Sequence, residues 1–331
     1  MKFKKEYALL GIVTLALALY LFLNKRDRTH YTLPEPPRLE AGDISKIEIL
    51  KADNTVTLTR TDDQWHLTPG DYPADAAQVE RMLETIAGFT ITALVSETQS
   101  YARYELNAEH RIDVKAYSGT KLVRDFVIGK AAGTFRHTHV LLGTDKNVYH
   151  ASGSFRWDFD KSIDDLRDKT ILAFDRRAIT AFSIRTGGKE LALKMKPRPP
   201  GDKEAAEAPD AENQVGTPPA ARWVTAEGQD VETAAVDQFL AALDRLKCDA
   251  FLAESQKASL TNPLYRVQLQ GEETDTLEIF SPPQSAGTDF PGISSGSPYP
   301  FTLPEFEVGK IKSFYTDITG VDEASTPSEK P

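Results

Sequence analysis

Gln78–Glu97 reads QVERMLETIAGFTITALVSE, and Ala235–Glu254 reads AVDQFLAALDRLKCDAFLAE. The two stretches align without a gap at an offset of 157 residues. Val79, Met82, Leu83 and Ile86 fall on Val236, Phe239, Leu240 and Leu243. That is the i, i+3, i+4, i+7 spacing that places four side chains on one face of a helix. Asp75 and Gln78 supply an N-terminal cap for the first helix, and Gly88 supplies a stop. Each helix then runs into an alternating segment, Phe89–Glu97 or Cys248–Glu254, that ends on glutamate.

The likeness continues outward. Upstream, Ile44-Ser-Lys-Ile-Glu-Ile answers Ile179-Thr-Ala-Phe-Ser-Ile, and each is followed by a second alternating run, Val56–Arg60 or Leu191–Met195. Trp65 and Trp223 come next, and downstream Arg111-Ile-Asp-Val answers Arg266-Val-Gln-Leu. Period-2 alternation around a single amphipathic helix predicts a mostly antiparallel sheet with one covering helix. The expected fold class is therefore α+β, built as two tandem repeats of that unit. From Ile49 to Trp65 is 16 residues, but from Ile184 to Trp223 is 39. The extra length falls in residues 197–221, rich in Pro, Ala and acid, which reads as a disordered insertion. Residues 321–331 read the same way, and Pro282–Pro300 reads as a further irregular stretch.

Ahead of the repeats, Tyr7–Leu23 is a run of 17 residues without a charge. As a helix it reaches about 25 Å, the short end of what spans a bilayer. Lys2, Lys4 and Lys5 precede it, and Lys25, Arg26 and Arg28 come after it. With the flanks nearly balanced, orientation rests on length: a short N-terminal anchor sends the long remainder out of the cytoplasm. Ala16-Leu17-Ala18 has the letters of a signal-peptidase site but lies inside the apolar run, so a retained anchor is expected. The expected organisation is a cytoplasmic N-terminus with a transmembrane anchor over 1–23 and a proline-containing stalk over 24–43. A first unit over 44–175 and a second over 176–320 complete it.

The chain carries 39 basic and 49 acidic side chains, a net charge of −10. Such a balance repels phosphate backbones, so nucleic acid is not an expected partner. The only cysteine, Cys248, excludes an intramolecular disulfide. There is no P-loop and no dinucleotide-binding glycine fingerprint, and no cofactor is expected.

The first unit resembles a bacterial family catalogued as domain of unknown function 4340. The residues that carry the likeness are Tyr104-Glu105-Leu106, the strand Arg111–Tyr117 and Phe126-Val-Ile-Gly-Lys130. Val148-Tyr149 and Ser162-Ile-Asp-Asp-Leu-Arg-Asp-Lys169 continue it. The likeness covers most of Ile44–Asp175, with weaker echoes in the second unit. Glu105 stands where the family usually has glycine, and Ala108-Glu109 where a proline is common. The family is typically membrane-anchored, and its genes often neighbour an ABC-type export system of the gliding-motility kind. The resemblance thus implies an accessory role and supplies no catalytic residues.

Three constellations have the residue types for chemistry. His137-Thr138-His139 lies in an expected strand, so both imidazoles share a face, and a turn near Gly143–Asn147 returns the chain toward His150. Register decides between two outcomes. Pairing Leu142 with Val148 turns His150 away, and a one-residue slip brings three histidines together as weak metal-ligand candidates. Gly292-Ile-Ser294-Ser-Gly296 spells a nucleophile elbow, but Pro291, Pro298 and Pro300 deny it the required strand and helix. Asp158, Asp160, Asp164, Asp165 and Asp168 form an acidic group whose interleaved Lys161, Arg167 and Lys169 suggest local ion pairs.

The expectation is a non-catalytic, single-pass protein of the bacterial inner membrane, with the bulk of its chain periplasmic. It would bind or assemble with integral membrane transporter subunits or other envelope proteins. Two alternatives are an envelope-polymer-processing enzyme and a glycan- or lipid-carrier-binding module. Trp65, Tyr72 and Trp223 are the aromatic residues for such a groove, or else parts of the core.

Overall fold

The computed structural model of the chain describes residues 12–20, 31–197, 221–283 and 289–320. It divides into two compact units, Met1–Leu166 and Arg167–Pro331. Residues 12–20 form a helix, α1, whose apolar side chains are exposed. The rest of the expected anchor, 7–11 and 21–23, lies outside the described residues. Among the described residues no helix is long and apolar enough to cross a membrane.

Unit 1 contains nine strands: β1 (Lys46–Leu50), β2 (Thr55–Thr61), β3 (Gln64–Thr68), β4 (Tyr72–Pro73), β5 (Ile91–Ser96), β6 (Ile112–Ser118), β7 (Lys121–Ala131), β8 (His137–Leu142) and β9 (Val148–Ser152). They form one sheet in the order β4-β3-β2-β1-β6-β7-β8-β9-β5. Every pairing is antiparallel. Helix α2 (Ala76–Ala87) carries the chain from β4 at one edge to β5 at the other. Asp75 caps it by accepting from the Gln78 N–H at 3.0 Å. Val79, Met82 and Ile86 are buried among Ile47, Ile49, Val114 and Ile128 of the sheet. Helices α3 (Arg156–Phe159) and α4 (Ile163–Leu166) close the unit.

The return from β5 to β6 builds a second, smaller core from Leu106, Val127, Leu141 and Val148, with Tyr101 and Tyr104 half-buried against it. Val127 lies between Phe126 and Ile128 of the main core, so alternation puts this cluster on the other face. Gly129 is where the two layers touch: a Cβ there would overlap the Tyr104 carbonyl oxygen and the Leu106 side chain. The family-like residues Tyr104, Leu106 and Gly129 thus meet in space. Glu105 sits between them in the left-handed region at φ 56°, a conformation that glycine adopts without strain.

Unit 2 repeats the plan. Its strands are β10 (Thr170–Leu172), β11 (Ala181–Thr186), β12 (Lys189–Pro197), β13 (Ala221–Thr225), β14 (Asp230–Val231), β15 (Leu246–Lys247), β16 (Ala250–Phe251), β17 (Tyr265–Gln270), β18 (Thr274–Ile279), β19 (Phe290–Ser294) and β20 (Ser297–Leu303). Nine of them form a sheet ordered β14-β13-β12-β11-β17-β18-β19-β20-β16, the unit 1 order strand for strand. Helix α5 (Thr233–Leu243) buries Val236, Phe239, Leu240 and Leu243 against this sheet. Helix α6 (Glu305–Thr319) joins it, stacking Phe314 on Phe239 with centroids 4.2 Å apart.

Four features differ from expectation. Pro282–Pro300 is not irregular throughout, because Phe290–Leu303 forms the β19–β20 hairpin. Proline is tolerated there since β16 pairs only Phe301 and Thr302, leaving the start of β20 at the sheet edge. The same prolines shorten β16: the carbonyl of Pro300 accepts from Leu252, but no N–H is returned. The expected strand Cys248–Glu254 is therefore reduced to two residues in the sheet. Next, the division between the units falls at Leu166, not at 175, because Thr170–Leu172 pairs with Leu246–Lys247 inside unit 2. Lastly, part of the expected stalk belongs to unit 1. Leu33 and Leu39 pack against its core, and Arg124 donates to the Pro37 carbonyl at 2.9 Å. As for the insertion, Pro197 and Ala221 are paired ends of β12 and β13, and 198–220 lies outside the described residues, as does the tail 321–331.

Two substitutions test the crossing of layers. Gly129→Ala should destabilise unit 1 by about 1–3 kcal/mol, because the obstructing atoms include backbone. Glu105→Gly should stabilise it by about 1 kcal/mol by relieving the left-handed residue. Gly133→Ala, with open space around the added methyl, is the control. Denaturant midpoints measured on the three variants check the order.

Candidate functional site

The β8–β9 hairpin takes the register that gathers the histidines. His139 lies directly opposite His150, and His137 opposite Ser152. All three imidazoles therefore share one face, the face of the small core. His139 is buried, and the other two are half-buried. Its Nδ1 is 2.9 Å from the Lys130 carbonyl oxygen, and its ring lies 4.9 Å from Tyr104. The Nε2 atoms of His139 and His150 are 3.2 Å apart. His137 stacks on His150 with centroids 5.3 Å apart and planes 17° from parallel. On the back of the strand, Thr138 donates to the Gly153 carbonyl at 2.8 Å and fixes the hairpin.

A carbonyl only accepts, so His139 carries its proton on Nδ1 and presents an Nε2 lone pair. His150 then donates from Nε2 to that lone pair. Burial first, and then the neighbouring His139 and His137, lower the pKa of His150 from 6.5. The arrangement is a neutral imidazole pair. Parallel stacking keeps His137 from converging on the same point, and among the described residues no three histidine, cysteine or acidic side chains are set to hold a metal ion.

Ser294 lies at the end of β19 and donates its hydroxyl to the Ile171 carbonyl. Unit 2 contains no histidine, all six lying before residue 151, so no imidazole in that unit serves Ser294 as a base. The acidic group separates into local contacts. Asp160 pairs with Lys51 at 3.3 Å and Asp158 with Arg81 at 3.5 Å. Asp165 and Ser162 cap each other across the start of α4. Arg167 lies over the Phe251 ring at 3.7 Å, and Lys169 donates to the Asp249 carbonyl at 2.6 Å.

A feature not read from the sequence is a cleft of about 890 Å³ in unit 2, lined by Phe174, Arg176, Met195, Trp223, Asp244 and Arg245 among others. Trp223 is a buried core residue whose strand forms one wall, beside the roots of the insertion. Arg176 and Asp244 are 3.5 Å apart across it. Asp175, Arg176 and Arg177, consecutive in the sequence, all line it. Trp65 and Tyr72 in unit 1 pack against the main core.

Two of these side chains can be read by titration and by labelling. Since His150 has a lower pKa folded than unfolded, its contribution to stability is present above about pH 6.5. It is lost as pH falls through 6.5 toward the folded value. The urea midpoint should drop between pH 7.5 and 5, and His150→Gln should flatten that slope. Burial raises the Cys248 thiol to about 11, so native protein at pH 8 should resist iodoacetamide and react once unfolded; mass spectrometry reads both states.

No curated protein and no solved structure is similar enough to the chain to count as a match. A family model does match, starting within β3 of unit 1 and ending just before β17 of unit 2. It describes a domain of unknown function, DUF4340, and with residues 65–263 matched, more than half of its length, the chain belongs to that family.

Proposed function

We propose that the chain is a non-catalytic binding and assembly subunit, held by residues 7–23 at the bacterial inner membrane with both units outside the cytoplasm. Its partners on this reading are integral membrane subunits of an ABC-type transport system. The observation that carries the reading is the set of large rings left in water on a well-packed scaffold. Trp157 is 77% exposed, Phe135 74% and Phe306 64%. Exposed aromatic side chains are among the residues that anchor protein interfaces once a partner covers them. The duplication fits the same reading. One sheet plan is kept twice, while its variable positions differ: histidines occupy the β8–β9 hairpin, and prolines the corresponding β19–β20 hairpin.

Crosslinking and mass spectrometry on native membranes tests the proposal. A transporter subunit should be recovered with the chain, and Trp157→Ala or Phe306→Ala should reduce that recovery several-fold. A fragment lacking the anchor should bind more weakly, since two linked contacts become one. Recovery of the chain alone, together with turnover of a glycan or peptide by the purified protein, would favour the enzyme reading instead. A reporter fused after Lys330 that is active only in the cytoplasm would overturn the topology.

A further inference from the structure

We propose that His139 and His150 form a two-imidazole site for a late first-row divalent metal ion, zinc, copper or nickel, on the β8–β9 hairpin of unit 1. The Nε2 atoms lie 3.2 Å apart. Two nitrogens each about 2.0–2.1 Å from a tetrahedral ion stand about 3.3 Å from one another. The spacing of the pair therefore already matches one edge of a coordination tetrahedron.

The surroundings prepare both ligands. The Lys130 carbonyl, 2.9 Å from Nδ1, fixes the His139 tautomer with Nε2 free, the second contact that metal-bound imidazoles commonly make. His150 is held on both sides, because β9 pairs with β8 and with β5, where Ala93 lies opposite it. Thr92 adds a hydrogen bond to the His150 carbonyl at 3.1 Å. His137, stacked on the His150 ring, limits its rotation and is not a ligand. Without metal, a single proton on His150 Nε2 bridges the two nitrogens. The ion takes the place of that proton, which moves to Nδ1 of the same ring, so His150 stays neutral. Water completes the coordination, which leaves the site open to an exogenous ligand.

Imidazole selects zinc, copper and nickel over magnesium and calcium, which prefer oxygen. Magnesium is thus the discriminating control. The site does not depend on the assembly reading, because its ligands and their supports all lie within unit 1.

The test is calorimetric titration of the full chain, without a polyhistidine tag, with zinc, nickel and magnesium salts. One equivalent of zinc or nickel should bind and raise the thermal midpoint, and magnesium should do neither. His139→Ala and His150→Ala should each weaken zinc binding by a factor of about ten or more, whereas His137→Ala and His66→Ala should leave it within about threefold. If the alanine variants fold poorly, copper(II) bound to the wild-type chain gives a second readout. Its electron paramagnetic resonance spectrum should show coupling to two imidazole nitrogens. Absence of zinc binding, binding unchanged in both His139 and His150 variants, equal loss in His137→Ala, or copper bound without two imidazoles would each overturn the assignment.

Discussion

In each unit the ladder between the first strand and the sixth holds two otherwise separate meanders together. Strands β1–β4 are linked by short hairpins, and so are β6–β9. Only the pairing of β1 with β6 makes them one sheet, with Ile47 opposite Ala116 and Ile49 opposite Val114, all buried. In unit 2 the same position is filled by Phe182 opposite Leu269 and Ile184 opposite Val267. Each such side chain removed from water contributes about 1.5–3 kcal/mol, or less for alanine. The helix shares a core with this seam: Val79, Met82 and Ile86 belong to the same buried cluster as Ile47 and Ile49, and in unit 2 Phe239 stacks on Phe182 with centroids 5.4 Å apart. The histidine hairpin and the unit 2 cleft are positioned relative to that seam.

How much of this was legible in the sequence depended on the kind of signal. The two helices and the strands around them were readable because a gapless repeat carried both periodicities twice. Register was not, since moving from Leu142–Val148 pairing to the observed one changes no residue and only turns His150 over. The β19–β20 hairpin was hidden by its prolines, which count against a strand unless it lies at an edge. That edge is set by the shortness of β16, a tertiary fact. The docking of Leu33 and Leu39 was obscured because prolines between them suggested a spacer.

The two units divide their chemistry unequally. All imidazoles of the chain belong to unit 1, where a neutral, cross-strand pair sits beside a small second core. Unit 2 has a cleft of about 890 Å³ in which Arg176 faces Asp244, beside the root of the insertion. A scaffold whose main core is maintained by alternation on one face is free to vary the other, because a strand's two faces are decoupled by its period. Duplication and then divergence on the free face accounts for a histidine cluster in one copy and prolines in its twin.

The same seam has a bearing on biosynthesis. During translation β1 is complete at residue 50, but its partner begins at residue 112. At ordinary elongation speeds the edge of the first meander stays open for a time on the order of seconds. In unit 2 the interval is longer, from Thr186 to Tyr265, and it includes the insertion. Two seams of similar pattern in one chain create a risk that a strand joins the wrong copy. Vectorial synthesis removes much of that risk: when β6 emerges, β11 does not yet exist, so β1 is its only partner of this kind. A chain refolding from denaturant has no such protection, because all four seam strands compete at once.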